Sequence, residues 1–216
     1  MEDHYVPVML NCSGRRCLII GGGKVAERKI QGLIGSGALL TIISPEVTES
    51  LLHMVRRGEA DWLPKPYLQG DLEGAFLVYA ATNIAEVNEQ VIADAQQSGI
   101  LVNSVDSPRI GHFITPSTIR RGKLTIAVSA SGASPGLVRR IVQQMSVDYG
   151  DEYSVYLDFL QQFREVILLE VNDKRIRKQL FDRVLELDTL IQIREGQFHP
   201  WSQEEMLLWI AANQEE

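Results

Sequence analysis

Apolar residues fall into two textures along this chain, and the change comes near residue 112. Before it, short unbroken apolar runs at 17–20, 40–44, 76–81 and 100–105 alternate with amphipathic stretches. Runs of that length bounded by turn residues predict buried strands, and the stretches between them predict helices. One helix begins at Lys24, straight after three glycines. A second spans 48–58, with Thr48 as N-cap and Gly58 as stop, and a third runs from 84 to 98 and is closed by Gly99. Residues 60–67 predict a short strand broken by Pro64 and Pro66, hence at a sheet edge. Strands alternating with helices predict a parallel sheet covered on both faces.

After residue 112 the pattern differs. Segments 113–120 and 123–130 flank Arg121-Gly122 and predict an antiparallel hairpin. A helix follows, with Ser134 as N-cap and Pro135 in its first position. Residues 152–171, 173–187 and 201–213 carry apolar side chains at three- and four-residue spacing, with 196–200 punctuating the last two. The expected fold is α/β. An N-terminal Rossmann-type parallel sheet fills 1–112, a β-rich segment fills 113–147, and a helical C-terminal domain fills 148–216.

The joint between the first run and its helix carries the first candidate chemistry. Gly21, Gly23 and Ala26 match Gly-x-Gly-x-x-Ala in a strand–turn–helix setting, the fingerprint of dinucleotide binding. Gly21 permits the tight turn, Gly23 lets backbone N–H groups approach a pyrophosphate, and Ala26 lets helix and strand pack closely. A plain glycine-rich turn is the structural alternative. NAD enzymes often carry an acid at the end of the second strand; here Ser44, Pro45 and Glu46 stand there, and no arginine follows closely for a 2′-phosphate. NAD is therefore expected over NADP. Ligands of such sheets bind beyond the carboxyl ends of the strands, which gathers the glycine turn, Ser44 to Glu46, Ala81, Thr82, Asn83 and Asp106 around one crevice.

Composition narrows the partners. A formal net charge of −7 argues against nucleic acid. No apolar run approaches the ~20 residues of a membrane span, and the N-terminus is no signal peptide, so a cytoplasmic protein is expected. Cys12 and Cys17 are too few and too close for a disulfide framework, and Cys17 reads as a small buried hydrophobe. No group of residues has metal-ligand spacing. Within this acidic chain, Arg109, His112, Arg120, Arg121 and Lys123 come with no acid among them, and Arg139 and Arg140 follow. That segment is either a field for an anionic small molecule or a solvated basic face.

Asp106, at the end of a strand and before Ser-Pro, is either a general base or a turn-initiating aspartate. His112 either contacts substrate or caps the hairpin. His4, His53 and His199 read as structural or surface, and Tyr153, Tyr156, Phe159 and Phe163 as a core stripe. Trp62, Trp201 and Trp209 carry no interpretable pattern.

Four ordered motifs, VPVMLNCSGRRCLIIGGGKVAERKIQGL, YAATNIAEVNEQV, VNSVDSPRIGHFITPS and IAVSASGASPGLVRRI, make residues 5–145 resemble the precorrin-2 dehydrogenases, the dehydrogenase module of siroheme synthases. The resemblance implies oxidation of precorrin-2 to sirohydrochlorin with NAD⁺, on the route to sirohaem or cobalamin. It makes Asp106 the catalytic residue and gives the cofactor to Gly21, Gly22, Gly23, Lys24, Val25, Ser44, Pro45, Glu46, Ala81, Thr82 and Asn83. The octacarboxylate tetrapyrrole suits His112, Arg120, Arg121 and Arg139. A homodimer joined through 113–147 is also implied.

Two departures from the family stand out. Ala130 replaces a modifiable serine of the fused enzymes, leaving Ser129, Ser131 and Ser134 as neighbours, and His112 stands where small residues are usual. At this length the chain is expected to lack their methyltransferase domain. Two other readings remain: a bifunctional enzyme that also inserts Fe²⁺ into sirohydrochlorin, and a non-catalytic NAD-binding regulatory module.

Overall fold

Side-chain alternation along the first strand, β1 (Arg16–Ile20), sets the layering of the N-terminal half. Cys17 and Ile19 point to one face, where they pack with Ala26, Ile30, Leu51 and Met54. Leu18 and Ile20 point to the other, against Val91, Ile92 and Ala95. Each such side chain taken fully from water contributes roughly 1.5–3 kcal/mol. The computed structural model describes residues 5–105 and 110–214, and the chain divides into two compact units, Met1–Thr115 and Pro116–Glu216.

The first unit continues with α1 (Lys24–Gln31), β2 (Leu39–Ile43), α2 (Glu49–Arg56), β3 (Asp61–Leu63), β4 (Leu77–Ala80), α3 (Ala85–Gln97) and β5 (Leu101–Ser104). All strand pairs are parallel, in the order β3-β2-β1-β4-β5. Helices α1 and α2 cover one face and α3 the other, as the alternation of strands and helices predicts. The short strand before the prolines is indeed an edge. Thr48 caps α2 as expected, accepting from the Leu51 N–H, and Gly58 (φ +71°) follows that helix. From β1 the chain moves outward to β2 and β3, then returns to place β4 on the other side of β1. The loops after β1 and β4 therefore face each other at a topological switch point, where open α/β sheets bind ligands.

The second unit holds the hairpin β6 (Ser117–Arg121) and β7 (Leu124–Val128), then α4 (Pro135–Asp148), α5 (Glu152–Glu170), α6 (Lys174–Val184), α7 (Thr189–Arg194) and α8 (Gln203–Asn213). Ser134 caps α4 and Pro135 opens it, as the sequence indicates. Three expectations need correction. Arg121 pairs with Leu124, so the turn is Gly122-Lys123, one residue later than Arg121-Gly122. Gly122 takes φ +56° at the first central position, the place a two-residue hairpin reserves for glycine. The strand before the turn starts at Ser117, not 113, because residues 111–115 belong to the first unit. Helix α7 has only six residues, too few to display a helical period.

The stripe on α5 is core at its centre. Phe159 and Phe163 are buried with Ile167, Leu180, Val184, Met206 and Ile210, and the Trp201 ring lies 5.8 Å from Phe159 and 5.5 Å from Phe163. Among the described residues no helix is long and apolar enough to cross a membrane.

Candidate functional site

The three glycines after β1 have three different physical jobs. Gly21 sits at φ +124°, its N–H bonded to the Ile43 carbonyl at 2.9 Å, and a Cβ there would lie 2.3 Å from the Ala81 oxygen. Gly22 is crowded from the other side. Its Cβ would fall 1.9 Å from the Glu46 carbonyl and 2.8 Å from Ser44 Oγ. Gly23 faces open space, with nothing within 4 Å of a Cβ. The middle glycine, which the fingerprint leaves free, is thus fixed here by a loop more than twenty residues away.

Gly23 is also the N-cap of α1 and supplies no side-chain cap. The first-turn N–H groups of a helix have no partner inside it, and the helix dipole adds positive potential. The Lys24 side chain is 80% exposed and its Nζ reaches both Glu27 carboxylate oxygens, at 3.1 and 3.2 Å. Val25 packs against the core, and Ala26 is fully buried between α1 and the sheet, as close helix–strand packing requires. A bare helix start beside an uncrowded glycine fits the pyrophosphate of a dinucleotide.

Glu27 is a residue that sequence reasoning missed. It is buried, and its carboxylate accepts a hydrogen bond from the Thr48 hydroxyl at the start of α2. That bond holds its pKa below the ordinary range, with Lys24 assisting against the opposing effect of burial. Thr48 also donates its N–H to the Gly22 carbonyl at 2.9 Å. The loop after β2 is thereby pinned to the glycine turn. Inside the loop Ser44 Oγ donates to the Glu46 carbonyl at 2.7 Å, and the Trp62 indole N–H donates to the Ser44 carbonyl at 2.9 Å. Pro45 and Glu46 are exposed at its tip.

After β4, Ala81 is buried and Asn83 exposed. Thr82 turns its hydroxyl into its own loop, donating to Asn88 Oδ1 at 2.9 Å and accepting from the Ile84 N–H at 3.1 Å. Asn88, buried on α3, also accepts from the Thr82 N–H at 3.0 Å and donates Nδ2 to the Thr82 carbonyl at 3.0 Å. A ligand in the crevice meets this loop chiefly through its backbone and Asn83.

Asp106 and Arg109 lie outside the described residues, but both flanks of their segment are defined. His112 clasps the free edge of β5: its N–H donates to the Val102 carbonyl at 2.8 Å, and its Nδ1 accepts the Val102 N–H at 3.2 Å. Phe113 packs edge-on to Tyr79 at 5.5 Å, and its carbonyl accepts from Asn103 Nδ2 at 2.7 Å. Asn103 is 3% exposed, and its Oδ1 has no partner among the described residues, an omission that costs about 1–3 kcal/mol. Below this, the Lys29 ammonium lies 5.2 Å from the Tyr79 ring centre and donates to Thr115 Oγ1 at 3.2 Å. Burial lowers the pKa of Lys29. Burial likewise pushes the Cys17 thiol up to about 12, with Cys12 adding to the effect, so Cys17 is the inert hydrophobe the sequence suggests.

The cofactor candidates therefore converge within the first unit, and His112 joins them there. Arg120, Arg121 and Arg139 belong to the second unit. Arg121 pairs with Asp151 at 3.1 Å, and Lys123 pairs with Asp158. Arg120 and Arg139 are exposed. Among the described residues no group of three His, Cys, Asp or Glu side chains has the arrangement of a metal site.

Residues 8–117 match the model of a family described as putative NAD(P)-binding. Siroheme synthase of Chromobacterium violaceum is 37% identical over 182 residues, 84% of this chain and 39% of that protein. Siroheme synthase of Azotobacter vinelandii is 34% identical over 193 residues, covering 89% of this chain and 42% of that protein. This chain thus spans about two fifths of the length of these curated relatives. A solved structure of SirC, precorrin-2 dehydrogenase, superposes with a TM-score of 0.75 at 29% identity, covering 96% of this chain and 100% of that one.

Proposed function

The chain belongs to the putative NAD(P)-binding family, and from that premise we propose that it oxidises precorrin-2 to sirohydrochlorin with NAD⁺. The observation that carries this reading is the end-to-end likeness to a precorrin-2 dehydrogenase, which includes the hairpin and the helical half as well as the nucleotide-binding sheet. The bare start of α1 supports it independently.

Gly22, Gly23, Lys24 and Val25 hold the pyrophosphate through the N–H groups at the start of α1. Glu46 offers its carboxylate to a ribose, and Ala81, Thr82 and Asn83 border the far side of the crevice. When bound, the cofactor supplies a hydride acceptor. Asp106 takes the proton that precorrin-2 gives up as the hydride departs, so two electrons and two hydrogens leave the substrate in total. His112, Arg120, Arg121 and Arg139 face the substrate carboxylates as hydrogen-bond and charge partners.

The active form is a homodimer in the cytoplasm, joined through residues 113–147. Supporting this, Leu137 is 53% and Val147 77% exposed on α4, where Val138 is the buried side chain. An apolar face of that kind marks an association surface.

Anaerobic incubation with precorrin-2 and NAD⁺ tests the reading. NADH absorbance should rise together with the sirohydrochlorin spectrum, and a flat trace refutes the proposal. Fe²⁺ added after the trace levels then separates a dedicated dehydrogenase, with no second phase, from an enzyme that also inserts the metal.

A further inference from the structure

We propose that Asn103 is a positioning residue for the catalytic carboxylate, acting through the backbone of residues 111–113; the inference rests on the dehydrogenase reading of Asp106. Asn103 lies on β5 in register with Tyr79 of β4, on the sheet face packed under α1 and α2. Tyr79, its neighbour on that face, is 4% exposed, and Phe113 packs against the same cluster. For stability alone this setting favours an apolar side chain. An asparagine brings two polar groups into it, and only one is satisfied: Nδ2 binds the Phe113 carbonyl, while Oδ1 goes without a partner among the described residues. The amide therefore imposes a desolvation cost on the core. What it does that a leucine cannot is hold that carbonyl.

The held carbonyl matters because of its place in the chain. Asp106 is two residues past Ser104, the last residue of β5, and five before Gly111, so both anchors of its segment are on the same strand. At the second anchor, His112 takes both outward-facing backbone groups of Val102. Gly111 presses so closely on the strand that a Cβ would lie 2.9 Å from the Val102 oxygen and 3.0 Å from the Ser104 nitrogen. Asn103 bolts the next residue down from beneath the sheet surface. Any drift of residues 111–113 moves the downstream end of the Asp106 segment, and displacements of about 1 Å suffice to lower a rate by roughly 100-fold.

The test uses the full chain carrying Asn103→Leu. The variant should keep or raise its thermal midpoint and bind NAD⁺ by calorimetry within about twofold of the parent. Its kcat for precorrin-2 oxidation should fall roughly 10- to 100-fold, with KM much less affected. The His112 amide should exchange with deuterium about tenfold faster. Gly111→Ala, which pushes the same backbone off β5 by another route, should reproduce the loss of kcat and the faster exchange. Unchanged kcat in both variants overturns the proposal, as does a parallel loss of NAD⁺ affinity, which would make Asn103 a cofactor residue. If the parent protein does not oxidise precorrin-2, the dehydrogenase reading fails by itself. The exchange arm then decides: accelerated His112 exchange in Asn103→Leu upholds the pinning, and unchanged exchange overturns it.

Discussion

The carboxylate of Glu27 accepts a hydrogen bond from the hydroxyl of Thr48, joining the first turn of α1 to the N-cap of α2. Since Thr48 also binds the Gly22 carbonyl, one contact governs both the glycine turn and the loop after β2. Lys24, 80% exposed, contributes less, because a solvated ammonium is well screened.

A pH dependence follows from this contact. The folded-state pKa of Glu27 is lowered from its ordinary 4.5, so its contribution to stability is fully present above that value and fades as pH falls through the folded pKa. Glu27→Gln keeps an acceptor for Thr48 but loses the charge-assisted bond. It should destabilise the protein by about 1 kcal/mol at pH 7. Urea titrations of parent and variant should give a constant gap at neutral pH that narrows below pH 4.5. A gap that widens in acid contradicts the assignment.

The glycines predict a graded series. Gly22→Ala drives a methyl group into the Glu46 carbonyl, so the loop after β2 must shift. NAD⁺ affinity should fall by at least about tenfold, with some loss of stability, since overpacking typically costs about 1–3 kcal/mol. Gly23→Ala meets no atom within 4 Å and should fold normally. Gly23→Asp should also fold but abolish NAD⁺ binding, because it sets a negative charge where the pyrophosphate belongs. Calorimetric titration with NAD⁺, paired with thermal melts, separates the three. Undiminished affinity in Gly23→Asp would make the turn merely structural.

Asn88 predicts a coupled loss. Its amide makes three hydrogen bonds to Thr82, and removing it strands a buried N–H, hydroxyl and carbonyl. Asn88→Ala should cost about 2–3 kcal/mol. It should also raise the KM for NAD⁺, since the loop after β4 borders the crevice. A lower melting temperature with an unchanged KM for NAD⁺ would confine Asn88 to a structural role.

What could be read from the sequence depended on how far apart the interacting residues lie. Gly21, Gly23 and Ala26 declare themselves by spacing, since strand, turn and helix are local. Pro64 and Pro66 mark an edge because their missing N–H groups forbid a further ladder. Gly22, Glu27 and Asn103 were invisible. Their partners Glu46, Thr48 and Phe113 lie 10 or more positions away, and only the parallel sheet brings them together. Trp62 fell outside every pattern for the same reason: its indole serves the Ser44 carbonyl on the neighbouring strand's loop. The hairpin turn was misplaced by one residue because glycine suits several turn positions, and only the pairing of Arg121 with Leu124 selects one.

The basic residues of the second unit divide by what they already bind. Arg121 is paired with Asp151, and its side chain is 23% exposed, whereas Arg120 and Arg139 are exposed. A guanidinium facing water is free to meet a substrate carboxylate with little reorganisation; one held by an aspartate must first be released. Arg120→Ala and Arg139→Ala should therefore raise the KM for precorrin-2 several-fold, with unchanged melting temperature and kcat. The increase should shrink as salt is raised, since exposed charges are screened over about 8–10 Å at 0.10–0.15 M. Arg121→Ala should lower the melting temperature and change KM less. Steady-state kinetics at two ionic strengths, with thermal melts of all three variants, decide the matter. Equal KM effects across the three would mean that Arg121 leaves Asp151 when substrate binds.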